Sequence, residues 1–260
     1  MGQREREQFR RPFLTDADRI ARFLWLHPKI IHLQEQRTDA DIQNALTSFP
    51  KDLESVYADI LKSIDKLPGP RRTRVQRVLR WVIYSKYPLT LTQLSAAVVI
   101  GDMAETWDDS RRINVPTTLI DDSFDLVFRK GNPWRSPDAV VQITHKSLVA
   151  FLSCSPEFLL VDLPLTGHSV PQVALVKECF KYISWMSLRQ PDRIETQFLT
   201  YASNHWPEYM RNAEAAGEEL APAFVDLMRP TSLFREFWLG HYSGNRYAIP
   251  LNYLLPVGPS

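Results

Sequence analysis

The strongest constraint on the fold is a pair of amphipathic helices between residues 49 and 84, joined by a proline-glycine turn. In both helices apolar side chains recur at steps of three and four residues, which places them on one helix face. The turn, Pro68-Gly69-Pro70, cannot continue a helix, so the pair is expected to return antiparallel. The apolar positions are Leu53, Val56, Tyr57, Ile60, Leu61, Ile64 and Leu67 in the first helix, and Val75, Val78, Leu79, Val82 and Ile83 in the second.

A third, shorter helix is predicted in the sequence LTQLSAAVV. Thr90 or Thr92 is placed to cap its N-terminus. Leu94, Ala97 and Val98 are expected to face the core.

The hydrophobic period then changes from helical to strand-like. Residues 124–130 and 139–144 are rich in Val, Ile and Phe, and Gly131, Asn132 and Pro133 supply turn chemistry between them. Three helices followed by a two-stranded wing is the order of a winged helix.

Helices are also predicted from the wing to the end of the chain. One begins near His145, with Ser147 close to the cap, and four amphipathic segments follow after Ser169. Their apolar residues are Val173, Val176, Phe180, Ile183 and Trp185; Phe198, Leu199, Ala202 and Trp206; Leu220, Phe224, Val225 and Met228; and Leu233, Phe234, Phe237 and Trp238.

The fold class predicted from these patterns is mainly α: a winged helix with a small β-hairpin wing, followed by a helical bundle. The predicted parts are an N-terminal helical connector at 1–49, the winged helix at 50–152 and the bundle at 153–241. The tail at 242–260 is punctuated by Gly and Pro.

Composition narrows the class of protein. A formal net charge of +1 over 260 residues predicts no overall attraction to nucleic acid or acidic membranes. Cys154 and Cys179 are too few for a disulfide framework and are expected to be free, buried thiols. The charged N-terminus lacks the apolar core of a signal peptide, and no apolar run has the length of a membrane span. A soluble, cytoplasmic protein is the expectation.

Four stretches in fixed order resemble a known region of signalling proteins. They are FPKDLESVYADIL, RVLRWVIYSKYPLTLTQLSAAV, VQITHKSLVAFL and FLTYASNHWPEY. Together they are similar to the region that follows the NACHT nucleotide-binding module in fungal STAND proteins, including heterokaryon-incompatibility and NACHT–ankyrin proteins. The winged-helix part resembles the domain family named after GPI inositol-deacylase. The opening RFLWLHPKIIHLQEQRTDADIQNALTSFP resembles the end of a NACHT module.

The resemblance implies a regulatory and protein-interaction module without catalysis of its own. The chain has no Gly-x-x-x-x-Gly-Lys-Ser/Thr, the loop that cradles phosphates in a NACHT ATPase. No catalytic, cofactor-binding or metal-binding residue is predicted, and no cofactor. The implied partners are a NACHT-type ATPase module or an ankyrin-repeat region, in the same chain or in another. The segment 250–255 is a possible stub of a first ankyrin repeat, and Phe23 and Trp25 would lie in an apolar patch open to self-association.

The alternative function is nucleic-acid binding by the winged helix. The third helix would then enter the major groove, yet LTQLSAAVV contains one Gln and no cation to read bases or phosphates. The cations cluster on the second helix instead, where a solvated polar face is the simpler interpretation. They are Arg71, Arg72, Arg74, Arg77 and Arg80.

Other residues that suggest chemistry have simpler structural interpretations. His145 and Ser147 could form part of a nucleophilic site, but spacing alone does not supply the orienting acid, and Ser147 as a helix cap is preferred. His205-Trp206 and the acidic pairs Asp108-Asp109 and Asp121-Asp122 lack the spacing of a metal site. The aromatic series is interpreted as core between packed helices: Tyr182, Trp185, Phe198, Tyr201 and Trp206.

Overall fold

The computed structural model describes residues 53–103, 106–130, 139–154, 171–189, 192–215 and 231–242, with the single residues 38, 40 and 229. This part of the chain is mainly helical and contains one two-stranded antiparallel hairpin. The helices are α1 (Leu53–Asp65), α2 (Gly69–Tyr84), α3 (Leu91–Val99), α4 (Thr118–Asp121), α5 (Ser147–Ser153), α6 (Pro171–Ser187), α7 (Arg193–Ala215) and α8 (Leu233–His241). The strands are β1 (Val127–Lys130) and β2 (Val140–Ile143).

The first two helices follow the predicted periodicity. On α1 the buried residues are Val56, Tyr57, Ile60 and Ile64, and on α2 they include Val75, Val78 and Leu79. Pro68 is the N-cap of α2 and Pro70 stands in its first turn, where the missing N–H costs no intrahelical hydrogen bond. The proline-rich turn therefore both separates the two helices and begins the second.

A capping box fixes the start of α3. The Gln93 N–H donates to Thr90 Oγ1 over 3.2 Å, and the Thr90 N–H donates to Gln93 Oε1 over 2.9 Å. Thr90 is thus the cap, and Leu94, Ala97 and Val98 are fully buried as predicted.

The hairpin is confirmed, with shorter strands than the predicted runs. β1 pairs with β2 in the register Val127 opposite Ile143 and Lys130 opposite Val140. Phe124 and Asp125 have φ of 49° and 60°, so the chain turns before β1 can begin. Residues 131–138 between the strands lie outside the described part.

The helix-connecting segment before α3 joins the hairpin. The Val141 N–H donates to the Leu89 carbonyl over 2.8 Å, and the Leu91 N–H donates to the Ala139 carbonyl over 3.3 Å. This pairing ties the start of α3 to the edge of β2.

Three of the four predicted C-terminal helices correspond to α6, α7 and α8. In α8, Phe234 and Trp238 are buried while Leu233 is 65% exposed. The Trp238 indole N–H donates to the Ser203 carbonyl on α7 over 2.9 Å. The segment with Leu220, Phe224, Val225 and Met228 lies outside the described residues.

One hydrophobic cluster includes side chains from both sides of the predicted boundary at residue 152. Trp81 of α2 lies edge-on to Phe198, with ring centroids 5.7 Å apart, and packs against Tyr201 and Tyr209 as well. α3 packs against α7, and α2 against α6. The aromatic series from Tyr182 to Trp206 is core, as predicted. The boundary itself stays a prediction, but the helices on its two sides share their core.

Several predictions concern residues beyond the described part. The connector at 1–49, apart from residues 38 and 40, lies outside it, as do Phe23, Trp25 and the tail after Tyr242. The expectation of two buried thiols is half wrong: Cys179 is buried, whereas Cys154 is exposed just after α5. Within the described residues, no helix combines the length and apolar character required to cross a bilayer.

Replacing Thr90 by Ala is expected to lower the free energy of unfolding by about 1 kcal/mol, because the substitution removes the capping hydroxyl of α3. Urea denaturation followed by far-UV circular dichroism measures the change. The matched control is Thr92→Ala, since the Thr92 hydroxyl has no hydrogen-bond partner among the described residues. Equal destabilisation by the two substitutions would contradict the capping assignment.

Candidate functional site

The third helix, which a DNA-reading winged helix would expose, is buried here. Every residue of α3 except Thr92 and Gln93 is buried. The Gln93 side chain donates to the Gln197 carbonyl of α7 over 3.3 Å. The polar side chains of α3 therefore form hydrogen bonds within the protein or face its interior.

The arginine cluster on α2 departs from its predicted role as a solvated face. Arg77 is 2% exposed and donates to the Val98 carbonyl over 3.0 Å and to Asp102 Oδ1 over 2.6 Å. Arg74 donates to the other oxygen of Asp102 over 3.0 Å. Both cations hold the segment that follows α3, so the solvated-face interpretation is wrong for Arg77 and incomplete for Arg74.

Arg80 is the most deeply buried cation of the cluster, with no exposed surface. Its guanidinium forms an ion pair with Glu178 of α6, which is 8% exposed. Removing two charges from water is costly, and the ion pair between Arg80 and Glu178 offsets part of that cost. At the start of α2, Arg71 pairs with Asp122 at the surface, and Arg72 is exposed.

Gly101 is required by the position of Arg77. A Cβ atom added at Gly101 would lie 2.4 Å from Arg77 Cζ. Because the guanidinium is anchored on both sides, any side chain at this position would displace it.

Residues 106–116, which we call the strap, are tied to the start of α7 by charge. Arg112 donates to Asp192 Oδ2 over 2.8 Å and to Glu195 Oε1 over 2.5 Å. Arg189 also pairs with Glu195, over 3.1 Å. Glu195 is only 1% exposed, and its negative charge is balanced by the guanidinium groups of Arg112 and Arg189.

Asp192 and Glu195 also cap α7 reciprocally. The Glu195 N–H donates to Asp192 Oδ1 over 2.8 Å, and the Asp192 N–H donates to Glu195 Oε2 over 2.7 Å. The Asp-x-x-Glu spacing was a signal that the sequence analysis missed. Arg112 lies in an irregular polar segment, and nothing in the neighbouring sequence indicates its ion pairs.

Aromatic rings fix the other end of the strap. Trp107 lies edge-on to Tyr182 of α6, with ring centroids 5.2 Å apart, and its indole N–H donates to Asp109 over 2.9 Å. The Arg112 guanidinium stands 5.9 Å from the Trp107 ring centroid. Burial raises the pKa of the Tyr182 phenol well above its usual range, so this ring stays uncharged.

A cavity of about 390 Å³ lies between α3, the strap and the helices α6 and α7. Thr92, Ser95, Ala96 and Val99 form its α3 wall. The strap contributes Trp107, Arg112, Ile113, Asn114 and Pro116, and Tyr182 and Glu195 complete the lining. The cavity is the candidate site because it combines apolar walls with a few converging polar groups.

The structure brings His145 and Ser147 together, but not as a helix cap. Lys146 is the N-cap of α5 and Ser147 is its first helical residue, so the cap prediction is wrong. Ser147 Oγ lies 2.6 Å from His145 Nδ1 and 2.9 Å from the Tyr57 hydroxyl of α1. No carboxylate within the described ranges hydrogen-bonds His145, and we assign the trio to holding α5 against α1.

Three residues of the acidic pairs have structural roles, Asp108, Asp109 and Asp122. Asp108 accepts from the Ser110 hydroxyl and N–H, which lowers the pKa of its carboxyl, and Asp109 pairs with Arg112. Asp122 pairs with Arg71. The described ranges contain no group of three or more residues arranged to hold a metal ion.

His205 lies at the surface end of the aromatic core. Its ring stacks on Tyr87, with centroids 4.2 Å apart, and meets Tyr201 edge-on. Burial lowers the pKa of His205 to about 4.

Comparison of the chain with protein-family models, with curated proteins and with solved structures gave no match. The similarity to a NACHT-associated region stays a prediction from the four sequence stretches.

Replacing Arg80 by Met is expected to lower the free energy of unfolding by about 3–5 kcal/mol, because the Glu178 carboxylate would remain buried without this partner. The double substitution R80M/E178L is expected to recover most of the loss. Chemical denaturation at pH 7 measures both. The surface substitution Arg71→Met, which breaks the exposed pair with Asp122, serves as control and is expected to cost much less, because exposed ion pairs contribute little to stability. A double variant no more stable than R80M would contradict this account.

Acid is expected to destabilise the protein partly through His205. Since its folded pKa of about 4 lies below the usual histidine pKa of 6.5, its contribution to stability is complete above pH 6.5 and is lost as pH falls toward 4. After allowance for solvent screening, the loss is about 1 kcal/mol. Urea denaturation at pH 7 and pH 4.5 compares wild type with His205→Gln. The variant should lose less stability between the two values, and an unchanged pH dependence would count against the assignment.

Proposed function

We propose that this chain is a non-catalytic regulatory and protein-interaction module of a fungal NACHT-type (STAND) signalling protein. Residues 50–152 form a winged helix, and the partner is a NACHT-type ATPase module or an ankyrin-repeat region, in the same chain or in another. Its compartment is the cytoplasm.

The winged-helix part of the proposal is supported by element order and by pairing. α1, α2, α3 and the short α4 are followed by β1 and β2, and the Leu89–Thr90 segment between α2 and α3 pairs with β2. A short extended segment that lies between two helices and pairs with the wing is a feature of winged helices.

The observation that carries the regulatory role is the burial of α3. In a nucleic-acid reader this helix enters the major groove with exposed polar and cationic side chains. In this protein α3 packs against α7, and Arg77 and Arg80 are committed to internal carboxylates. The described helices on both sides of residue 152 thus share one core. A shared core suits a regulatory module, because a movement of one half would be passed to the other half.

The same packing does not favour the nucleic-acid alternative. Arg74 and Arg77 share Asp102, so neither offers its full charge to phosphates. Arg72 is the better probe of that alternative because it is exposed at the start of α2.

Full-length sequencing of transcripts that contain this segment tests the proposal. Reading frames that join it to an upstream Gly-x-x-x-x-Gly-Lys-Ser/Thr loop would support the proposed role in cis. Reading frames without such a loop leave the role in trans, which is tested by co-expression with the NACHT modules of the same genome. Failure to form a complex with any of them would overturn the proposal.

Binding to duplex DNA tests the nucleic-acid alternative. We expect the purified chain to show no affinity for duplex DNA stronger than about 10⁻⁴ M at physiological salt, the weak end of non-specific binding. Fluorescence anisotropy with Arg72→Glu as the matched variant measures it. Salt-dependent binding that is weakened by Arg72→Glu would favour the nucleic-acid alternative.

A further inference from the structure

The cavity beside α3 has the size of a small-molecule site. Its volume of about 390 Å³ falls within the range of about 300–1,000 Å³ typical of ligand pockets. It is lined by α3, the strap, α6 and α7, so an occupant would contact elements from both halves of the described chain.

The two charged residues that line the cavity, Arg112 and Glu195, are paired with each other. Arg112 is also engaged by Asp109 and Asp192, and Glu195 also accepts from Arg189. A charged ligand would lose its hydration without gaining a free counter-charge, which is unfavourable. The cavity therefore selects against both anions and cations.

Uncharged polar groups at the cavity are open to a ligand. The Thr92 hydroxyl and the Asn114 amide line it, and neither has a hydrogen-bond partner among the described residues. The Ser95 hydroxyl donates to the Thr92 carbonyl over 2.8 Å, which leaves its oxygen free to accept. A donor and acceptor on a neutral ligand would satisfy these groups.

The remaining walls are apolar and aromatic. Ala96 and Val99 face the cavity from α3, while Trp107 and Tyr182 contribute rings held edge-on to each other. Flat aromatic surfaces pack well against such rings.

From these features we propose that the cavity between α3 and the strap binds a small, uncharged aromatic molecule that carries a hydrogen-bonding group. The inference is independent of the proposed regulatory function, since it depends only on the cavity. An occupant bridges the strap, α3 and the C-terminal helices, so its binding raises the thermal midpoint of the protein by mass action.

The test uses three probes that share one ring and differ in charge. Indole-3-ethanol is neutral, indole-3-acetate is an anion and tryptamine is a cation at pH 7. Titration calorimetry and saturation-transfer NMR on the full chain measure their affinities. We expect indole-3-ethanol to bind at least about tenfold more tightly than either charged probe. The two charged probes would lose their hydration in the cavity without gaining a counter-charge, and the neutral probe does not have this cost. No binding of indole-3-ethanol at millimolar concentration, or equal binding of all three, would overturn the proposal.

Variants locate the binding. Ala96→Trp should fill the cavity and abolish binding of indole-3-ethanol, with circular dichroism to check folding. Thr92→Val and Asn114→Ala, which remove one polar group each, should weaken binding about threefold to tenfold, as expected for loss of a hydrogen bond. Ala150→Trp, at an exposed position on α5, is the matched control for the added ring. Unchanged affinity in both Thr92→Val and Asn114→Ala would place the probe elsewhere and refute the proposal.

Discussion

The placement of α3 depends on the buried guanidinium of Arg77. This group donates to the Val98 carbonyl near the end of α3 and to Asp102 just beyond it. Carbonyls in the last turn of a helix have no intrahelical hydrogen-bond donor and carry a partial negative charge. A guanidinium at this end supplies both the donor and the positive charge. Gly101 leaves the space that the guanidinium occupies. This anchor adds to the apolar packing that holds the end of α3 against α2.

The same chemistry recurs where distant segments meet. Arg80 of α2 pairs with Glu178, 98 residues away, and Arg112 of the strap pairs with Glu195, 83 residues away. Desolvation offsets much of the attraction in such pairs, so the apolar cluster around Trp81 supplies the larger stabilisation. We expect the pairs to contribute specificity, because a helix packing that separated Arg80 from Glu178 would leave two buried charges unpaired.

Local patterns in the sequence were sufficient for most elements. The three- and four-residue spacing from Val56 to Ile64 predicts α1, and a capping threonine at 90 or 92 predicts the start of α3. The hairpin follows from Val- and Ile-rich runs, although its strands begin later because Phe124 and Asp125 turn the chain. Each of these signals lies within about one or two turns of the residues that it governs.

The candidate site could not be predicted in the same way. Its walls come from α3, the strap, Tyr182 and Glu195, and nothing in the local spacing of these residues indicates that they meet. The helices, the hairpin and their apolar faces could be predicted from the sequence, because those features depend on neighbours along the chain. The burial of Arg77 and Arg80, the position of Ser147 inside α5 and the cavity beside α3 became evident in the folded structure alone. The burial of the two arginines depends on partners that are distant in the sequence. Asp102 lies 25 residues from Arg77, and Glu178 lies 98 residues from Arg80.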